Sequence, residues 1–409
     1  MEKRVEERRL WIRASVPPDP SSKEQLRLYR DAGFNVLAMT EDYVKSCSKA
    51  YFDCLKYAEE VGLHVYMKEH HEFGKYWSKH FSNVDLNEYP SVIGFYMTDE
   101  PNKEQLQVIA KEYVPWYKER YEQSGMDFFI NTYCGETEHF QGPAEEYLDL
   151  MMESIYNKLD TENKYLSLDE YPLRRDCFGK NYLDEREWIP YTAQAAKKCR
   201  DNGVRFGSYM QSFGGGYCDA RLPLCIEEIR FMAYVYLAFG VQHLGYFVYQ
   251  TTSEWNFQGI ITEDGKPTKL YYFVKEVNEE LLSFDREYLT YKWNGALVID
   301  GDRNEKPNEP FIKTREFLQY TDEEVEVVKA EKDLIVGCFG KEKNQRAYIL
   351  VSYGEPTVKE GNTVELTFKT AKKLAIRRNG VKETVEIKDG KLSLEMKQGE
   401  GIYIQTLIK

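Results

Sequence analysis

Short, nearly continuous apolar runs recur along the first two thirds of the chain. They lie at Leu10–Val16, Phe34–Met39, Leu63–Met67, Ser91–Thr98, Asp127–Asn131, Tyr165–Asp169, Val204–Met210 and His243–Val248. Runs of this length, apolar at odd and even positions alike, predict strands covered on both faces of a sheet. Between them the apolar residues fall three and four apart, the period of a helix. Gly33, Gly62, Gly125, Gly203 and Gly240 each stand between such a stretch and the next apolar run, where a helix C-cap needs positive φ. Eight β–α units in succession predict an α/β protein of the (β/α)8 TIM-barrel class. An open doubly wound sheet would carry a Gly-rich phosphate turn after an early strand, and Gly214-Gly215-Gly216 lacks that spacing.

After Phe284 the pattern changes. Val325–Val328, Leu334–Phe339, Arg346–Val351, Thr363–Phe368 and Gly401–Gln405 are β-branched or aromatic, and Asn379-Gly380 and Asp389-Gly390 mark turns. The expectation is a C-terminal antiparallel β-sandwich over 285–409, appended to a barrel over 1–284.

In a barrel the loops after the strands converge on one mouth. The fourth strand runs into Asp99-Glu100-Pro101, where proline stops the ladder and Asn102 is placed to cap a helix. Other strand ends supply Lys68-Glu69, Asn131 with Tyr133, Asp169-Glu170-Tyr171, Gln211, and Gln250 followed by Glu254-Trp255. Strand alternation puts Asp169 and Tyr171 on one face and Glu170 on the other. Carboxylates, amides and aromatic rings suit a polyhydroxylated ligand, with polar groups on its hydroxyls and ring faces on its C–H surface. No serine or cysteine stands in a nucleophile elbow. Lys68 is the lysine placed for a Schiff base, the feature a lyase or aldolase would need.

Composition narrows the partners. A net charge of −13 without a basic run argues against nucleic acid, and no uncharged apolar stretch is long enough for a membrane helix. Eight scattered cysteines with no C-x-x-C pair fit reduced thiols, and adjacent His70 and His71 make a poor metal pair; neither a metal nor another cofactor is expected. The first residues lack the apolar core of a signal peptide, which favours the cytoplasm, although a trimmed secreted chain would look the same. Tyrosine is abundant, at 32 residues, as sugar clefts and sheet cores both require.

Gly94-x-x-x-x-Asp99-Glu100-Pro101, together with Asp169-Glu170-Tyr171-Pro172, Gln211-Ser212-Phe213-Gly214, Arg221-Leu222-Pro223 and Glu228-Ile229-Arg230, resembles a group of uncharacterised glycosidases. The layout is similar to the clan A glycoside hydrolases, (β/α)8 barrels carrying an appended sandwich. That resemblance implies hydrolysis of an O-glycosidic bond, with Glu100 as general acid at the end of strand four. The clan places its nucleophilic Glu at the end of strand seven, where this chain has Gln211, which cannot form a glycosyl ester. The second carboxylate is therefore expected on strand six, as Asp169. Strands four and six are two ladder steps apart, so a separation of roughly 6.5–9.5 Å with inversion is expected. Asp99, Glu69, Asn131, Tyr133, Tyr171, Gln211, Glu254 and Trp255 are the expected substrate ligands, and carbohydrate is the expected partner. The alternative is a degenerate barrel that binds carbohydrate without cleaving it.

Overall fold

The computed structural model describes residues 9–39, 48–68, 85–133, 142–216, 219–303, 306–341 and 345–407. Its first sheet has eight parallel strands: β1 (Trp11–Ala14), β2 (Val36–Met39), β3 (His64–Lys68), β4 (Val92–Asp99), β5 (Asp127–Thr132), β6 (Lys164–Asp169), β7 (Arg205–Gln211) and β8 (His243–Phe247). Each pairs with the next from β2 to β8, and β8 pairs with β1. Helices α1 (Lys23–Asp31), α2 (Lys49–Glu60), α3 (Lys103–Val108), α4 (Val114–Arg120), α5 (Ala144–Ser154), α6 (Trp188–Asp201), α7 (Ile226–Ala238) and α8 (Lys269–Leu282) lie between and after the strands. This is a (β/α)8 barrel.

The five glycines between helix and strand all adopt positive φ, from 64° at Gly203 to 83° at Gly33. The seam between β1 and β2 is not a strand ladder. Asn35 bridges it: its Oδ1 accepts from Ile12 N at 2.7 Å and its Nδ2 donates to Leu10 O at 2.8 Å. Its backbone N–H completes the stitch on Ile12 O.

The barrel interior is aromatic. Trp11, Tyr66, Tyr96, Phe129 and Tyr165 form one buried cluster with Val36, Ala38 and Ile93. Room for such rings comes from small residues opposite; a Cβ on Gly245 would lie 2.4 Å from the ring of Tyr209.

The C-terminal strands form two antiparallel sheets. The larger has the order β9 (Lys292–Ile299), β11 (Leu334–Lys341), β12 (Gln345–Ser352), β17 (Gly401–Thr406), β14 (Lys373–Arg378), β15 (Val381–Glu386). The smaller is β10 (Val325–Ala330), β13 (Gly361–Phe368), β16 (Lys391–Lys397). Both expected two-residue turns form with positive φ at each residue, Asn379-Gly380 and Asp389-Gly390.

Leu334, Val336 and Cys338 pack toward the smaller sheet, while Ile335 and Phe339 join the barrel core. The larger sheet is thus covered on both faces, which explains why β11 and β12 read as unbroken apolar runs while β13 alternates. At the contact, a Cβ on Gly337 would sit 2.2 Å from Ala238 O, so the sheet meets α7 backbone to backbone. The sequence reading missed helix α9 (Glu309–Leu318) in this region. Its buried Phe311, Thr314 and Leu318 stand at helical spacing, a signal hidden by the short length of the stripe.

Candidate active site

The C-terminal ends of β4, β5 and β6 bring three carboxyl groups together. Asn131 of β5 is in register with Asp99 of β4 on one side and Ser167 of β6 on the other. The side chains repeat that layer: Ser167 Oγ donates to Asn131 Oδ1, and Asn131 Nδ2 donates to Asp99 Oδ1 at 2.9 Å. Tyr96 OH donates to the same Asp99 oxygen at 2.8 Å, and Lys68 Nζ approaches the other at 3.3 Å. Burial opposes ionisation of Asp99, but Lys68, the two hydrogen bonds and Arg13 outweigh it and hold the carboxyl below its usual range. Solvent still reaches 38% of the Asp99 side chain.

Glu100 follows Asp99, and plain strand alternation would turn it away from the mouth. Its φ of 46° prevents this. The left-handed residue reverses the turn, and the Glu100 N–H donates to Asn131 O at 2.9 Å. The carboxyl then lies close enough to Tyr133 and Asp169 to raise the proton affinity of both. Tyr147 braces the same turn through a 2.6 Å bond from its hydroxyl to Pro101 O.

Asp169 is the third carboxyl. Burial, the charge and hydrogen bond of Glu100, and then Asp99 and Glu170 push its proton affinity well above the carboxylate range. Tyr171 OH donates to its Oδ2 at 3.3 Å, and the Tyr171 ring is walled by Phe213 and Phe247. Glu100 and Asp169 lie close enough for the charge of one to raise the proton affinity of the other.

Beneath this layer lies Arg13, 1% exposed. Its guanidinium stacks over the rings of Tyr209, Phe129 and Tyr96 at 4.4, 4.7 and 4.8 Å, and its Nε donates to His243 Nε2 at 3.0 Å. Burial and the adjacent Arg13 keep His243 neutral, well below its usual pKa. Arg13 therefore sits beneath Asp99 as a fixed positive charge. The sequence offered Arg13 as a polar residue inside a strand, but nothing in it reveals the three rings that meet there.

Two of the expected ligands make hydrogen bonds within the protein. Gln211 is fully buried, with its carboxamide bonded to Leu173 N, Leu173 O and Arg221 O, tying together the loops after β6 and β7. The Asn131 amide bonds Asp99 and Ser167. Glu254 and Trp255 stand exposed in the 251–259 loop, and no hydrogen bond or ion pair ties them to the carboxyl pair among the described residues. Glu69 lies outside the described residues. Lys68 pairs with Asp99 and lies over the Tyr96 ring at 4.4 Å. Among the described residues no cluster of His, Cys, Asp and Glu is placed to hold a metal, and no helix is long and apolar enough to cross a membrane.

No family model matches the chain, and no curated protein matches it. Solved structures do. A GH42 β-galactosidase from G. stearothermophilus, Gan42B in a catalytic-mutant form, superimposes with a TM-score of 0.59 at 8% identity, over 97% of this chain and 98% of that one. The β-galactosidase of Bacillus circulans sp. alkalophilus gives 0.54 at 9% identity, over 98% and 99%. The chain spans 60% of the length of the β-galactosidase from the psychrophilic Marinomonas ef1. At these identities the likeness is one of fold, and it runs through barrel and sandwich alike.

Proposed function

We propose that this chain hydrolyses an O-glycosidic bond, using Asp169 as proton donor and Glu100 as its ionised partner. The observation that carries the reading is the closeness of the Glu100 and Asp169 carboxyls at the C-terminal mouth of the barrel, where burial and Glu100 raise the proton affinity of Asp169. Asp169 gives that proton to the glycosidic oxygen as the bond to the anomeric carbon breaks. Glu100 attacks that carbon, and Asp169, now ionised, takes a proton from the water that releases the sugar. Asp99, kept ionised by Lys68 and Arg13, faces the developing positive charge of the sugar ring.

These roles exchange those that the resemblance implies for strand four. The closeness of the two carboxyls supports retention over inversion, because a retaining pair stands roughly 5–5.5 Å apart and an inverting pair roughly 6.5–9.5 Å. The structural neighbours named above are described as β-galactosidases, which makes galactosides the first substrates to try. The test is a panel of aryl glycosides and oligosaccharides with the wild type, Glu100→Gln and Asp169→Asn. Turnover lost in both variants, with the first-formed sugar retaining its configuration by proton NMR, is the expected result. Inverted product would refute the role of Glu100. The second reading, a barrel that binds sugar without cleaving it, is favoured by Gln211 on strand seven; binding without turnover across the panel would establish it.

A further inference from the structure

A second polar cleft, of about 480 Å³, lies away from the carboxyl pair, on the seam between barrel and sandwich. One wall is the hairpin that leaves the end of β6, Leu173–Arg175 paired with Asn181–Leu183. The facing wall is built from Asp333 before β11 and the loop that follows β12. Tyr353 lines it, with a ring packed against those of Phe311, Phe231 and Trp188 at 5.0, 5.5 and 6.3 Å. Its hydroxyl is buried beside Glu185, with no hydrogen-bond partner among the described residues.

Asn308 stands at the N-cap of α9, yet its side chain does not cap the helix. Its Nδ2 donates to Asp333 Oδ2 at 2.9 Å, and its buried Oδ1 has no partner among the described residues. A buried acceptor left open just behind the lining of a cleft is a group that a ligand hydroxyl satisfies once the side chain turns outward. At the lip, Tyr182 is 36% exposed, and its hydroxyl is tied to Asp219 Oδ2 at 2.6 Å, which fixes the ring face.

The lining charges nearly cancel. Lys332 is paired with Glu360 at 2.6 Å, and Glu355 lies 3.8 Å from Arg221. Burial favours the neutral form of both Glu185 and Asp333. Such a lining favours neither an anion nor a cation. A flat aromatic face beside open amide and carboxyl groups suits a neutral sugar ring. The hairpin starts four residues after Asp169, and a smaller recess lined by Glu170, Asp184 and Glu309 lies on the same seam.

The geometry points to a second saccharide-binding site, which holds a neutral oligosaccharide chain through Tyr182, Glu185 and Asn308. The choice of a sugar rests on the glycosidase reading of the barrel mouth; the cleft itself does not. The test uses the full chain carrying Glu100→Gln, titrated calorimetrically with hexasaccharides of β-1,4-linked glucose, xylose, mannose and galactose. At least one is expected to bind, and Tyr182→Ala to weaken it by about tenfold, the scale of one lost ring face. Asn308→Ala is expected to weaken it as well, without touching the exposed hairpin. In the otherwise wild-type chain, Tyr182→Ala should raise KM for that hexasaccharide and leave kcat/KM for an aryl monoglycoside unchanged. Binding that survives both substitutions, or no binding by any hexasaccharide, overturns the site and leaves the barrel reading standing. Binding that depends on Tyr182 in a chain without any turnover keeps the site and defeats the barrel reading.

Discussion

Replacing Glu100 by glycine and by alanine separates its backbone from its chemistry. Both changes remove the carboxyl and its interactions with Tyr133 and Asp169, so these losses cancel in the comparison. What differs is the residue held at φ 46°. A side chain in the left-handed region costs roughly 1–2 kcal/mol, and glycine is free of that cost. Glycine also frees the unfolded chain, which takes back roughly 0.4–1 kcal/mol. Glu100→Gly should therefore be more stable than Glu100→Ala by about 1 kcal/mol. In urea, with a slope of about 3 kcal/mol per molar for a large chain, that is a midpoint shift of roughly 0.3 M, readable by tryptophan fluorescence. Both variants should lose turnover by at least about a thousandfold. Equal midpoints would show that the turn is unstrained and that Glu100 is not held in place at a cost. Turnover surviving in either variant would remove Glu100 from the reaction.

Asp169 binds its proton more tightly folded than unfolded, so the wild type loses stability as pH rises above about 3.9, the unfolded value, through the folded one. Asp169→Asn should be the more stable protein at pH 7, with a gap that closes toward pH 4 in parallel denaturation curves. Asp99 is the opposite case, held low by Lys68 against its burial, and its stabilisation is present above its unfolded pKa and lost as pH falls through the folded value. Lys68→Met should accordingly move the acid limb of the kcat/KM profile to higher pH; an unmoved limb would show that Asp99 does not govern it. Asn35→Ala leaves Ile12 N and Leu10 O without their side-chain partner at the barrel seam. It should cost about 2–4 kcal/mol and speed hydrogen exchange at Ile12, whereas unchanged exchange would mean the seam is held elsewhere.

The barrel was legible because its signals are local. Each strand is one apolar run, and each of the five glycines sits where a helix must turn back. The sandwich was legible for the same reason in β13 and at Asn379-Gly380, while α9 was too short to announce itself. The site was only half legible. Asp99, Glu100 and Asp169 are visible as polar residues at strand ends, but which way Glu100 points depends on one backbone torsion that no residue type dictates. Gln211 and Asn131 look like ligands in sequence because amides at strand ends serve both substrates and loops. Only their bonds to Leu173, Arg221, Asp99 and Ser167 tell the two uses apart. Arg13 illustrates the remaining gap, since its cage draws one ring from each of β4, β5 and β7.

The double coverage of the larger sheet bears on how the chain is made. Helix α7 ends at Ala238, and the last strand of the sheet that covers it ends at Thr406. At a synthesis rate of about 5–20 residues per second, roughly 10–30 s separate the two on the ribosome. For that interval the outer face of α7, with the Tyr234 ring that later lies against Gly401, has no cover from the sheet. The nascent barrel thus presents an apolar surface to every other chain nearby before its own sheet arrives. Cooler growth or a holding chaperone acts on that interval rather than on the finished fold. Soluble yield should respond to both more strongly than the melting temperature of the purified protein would suggest.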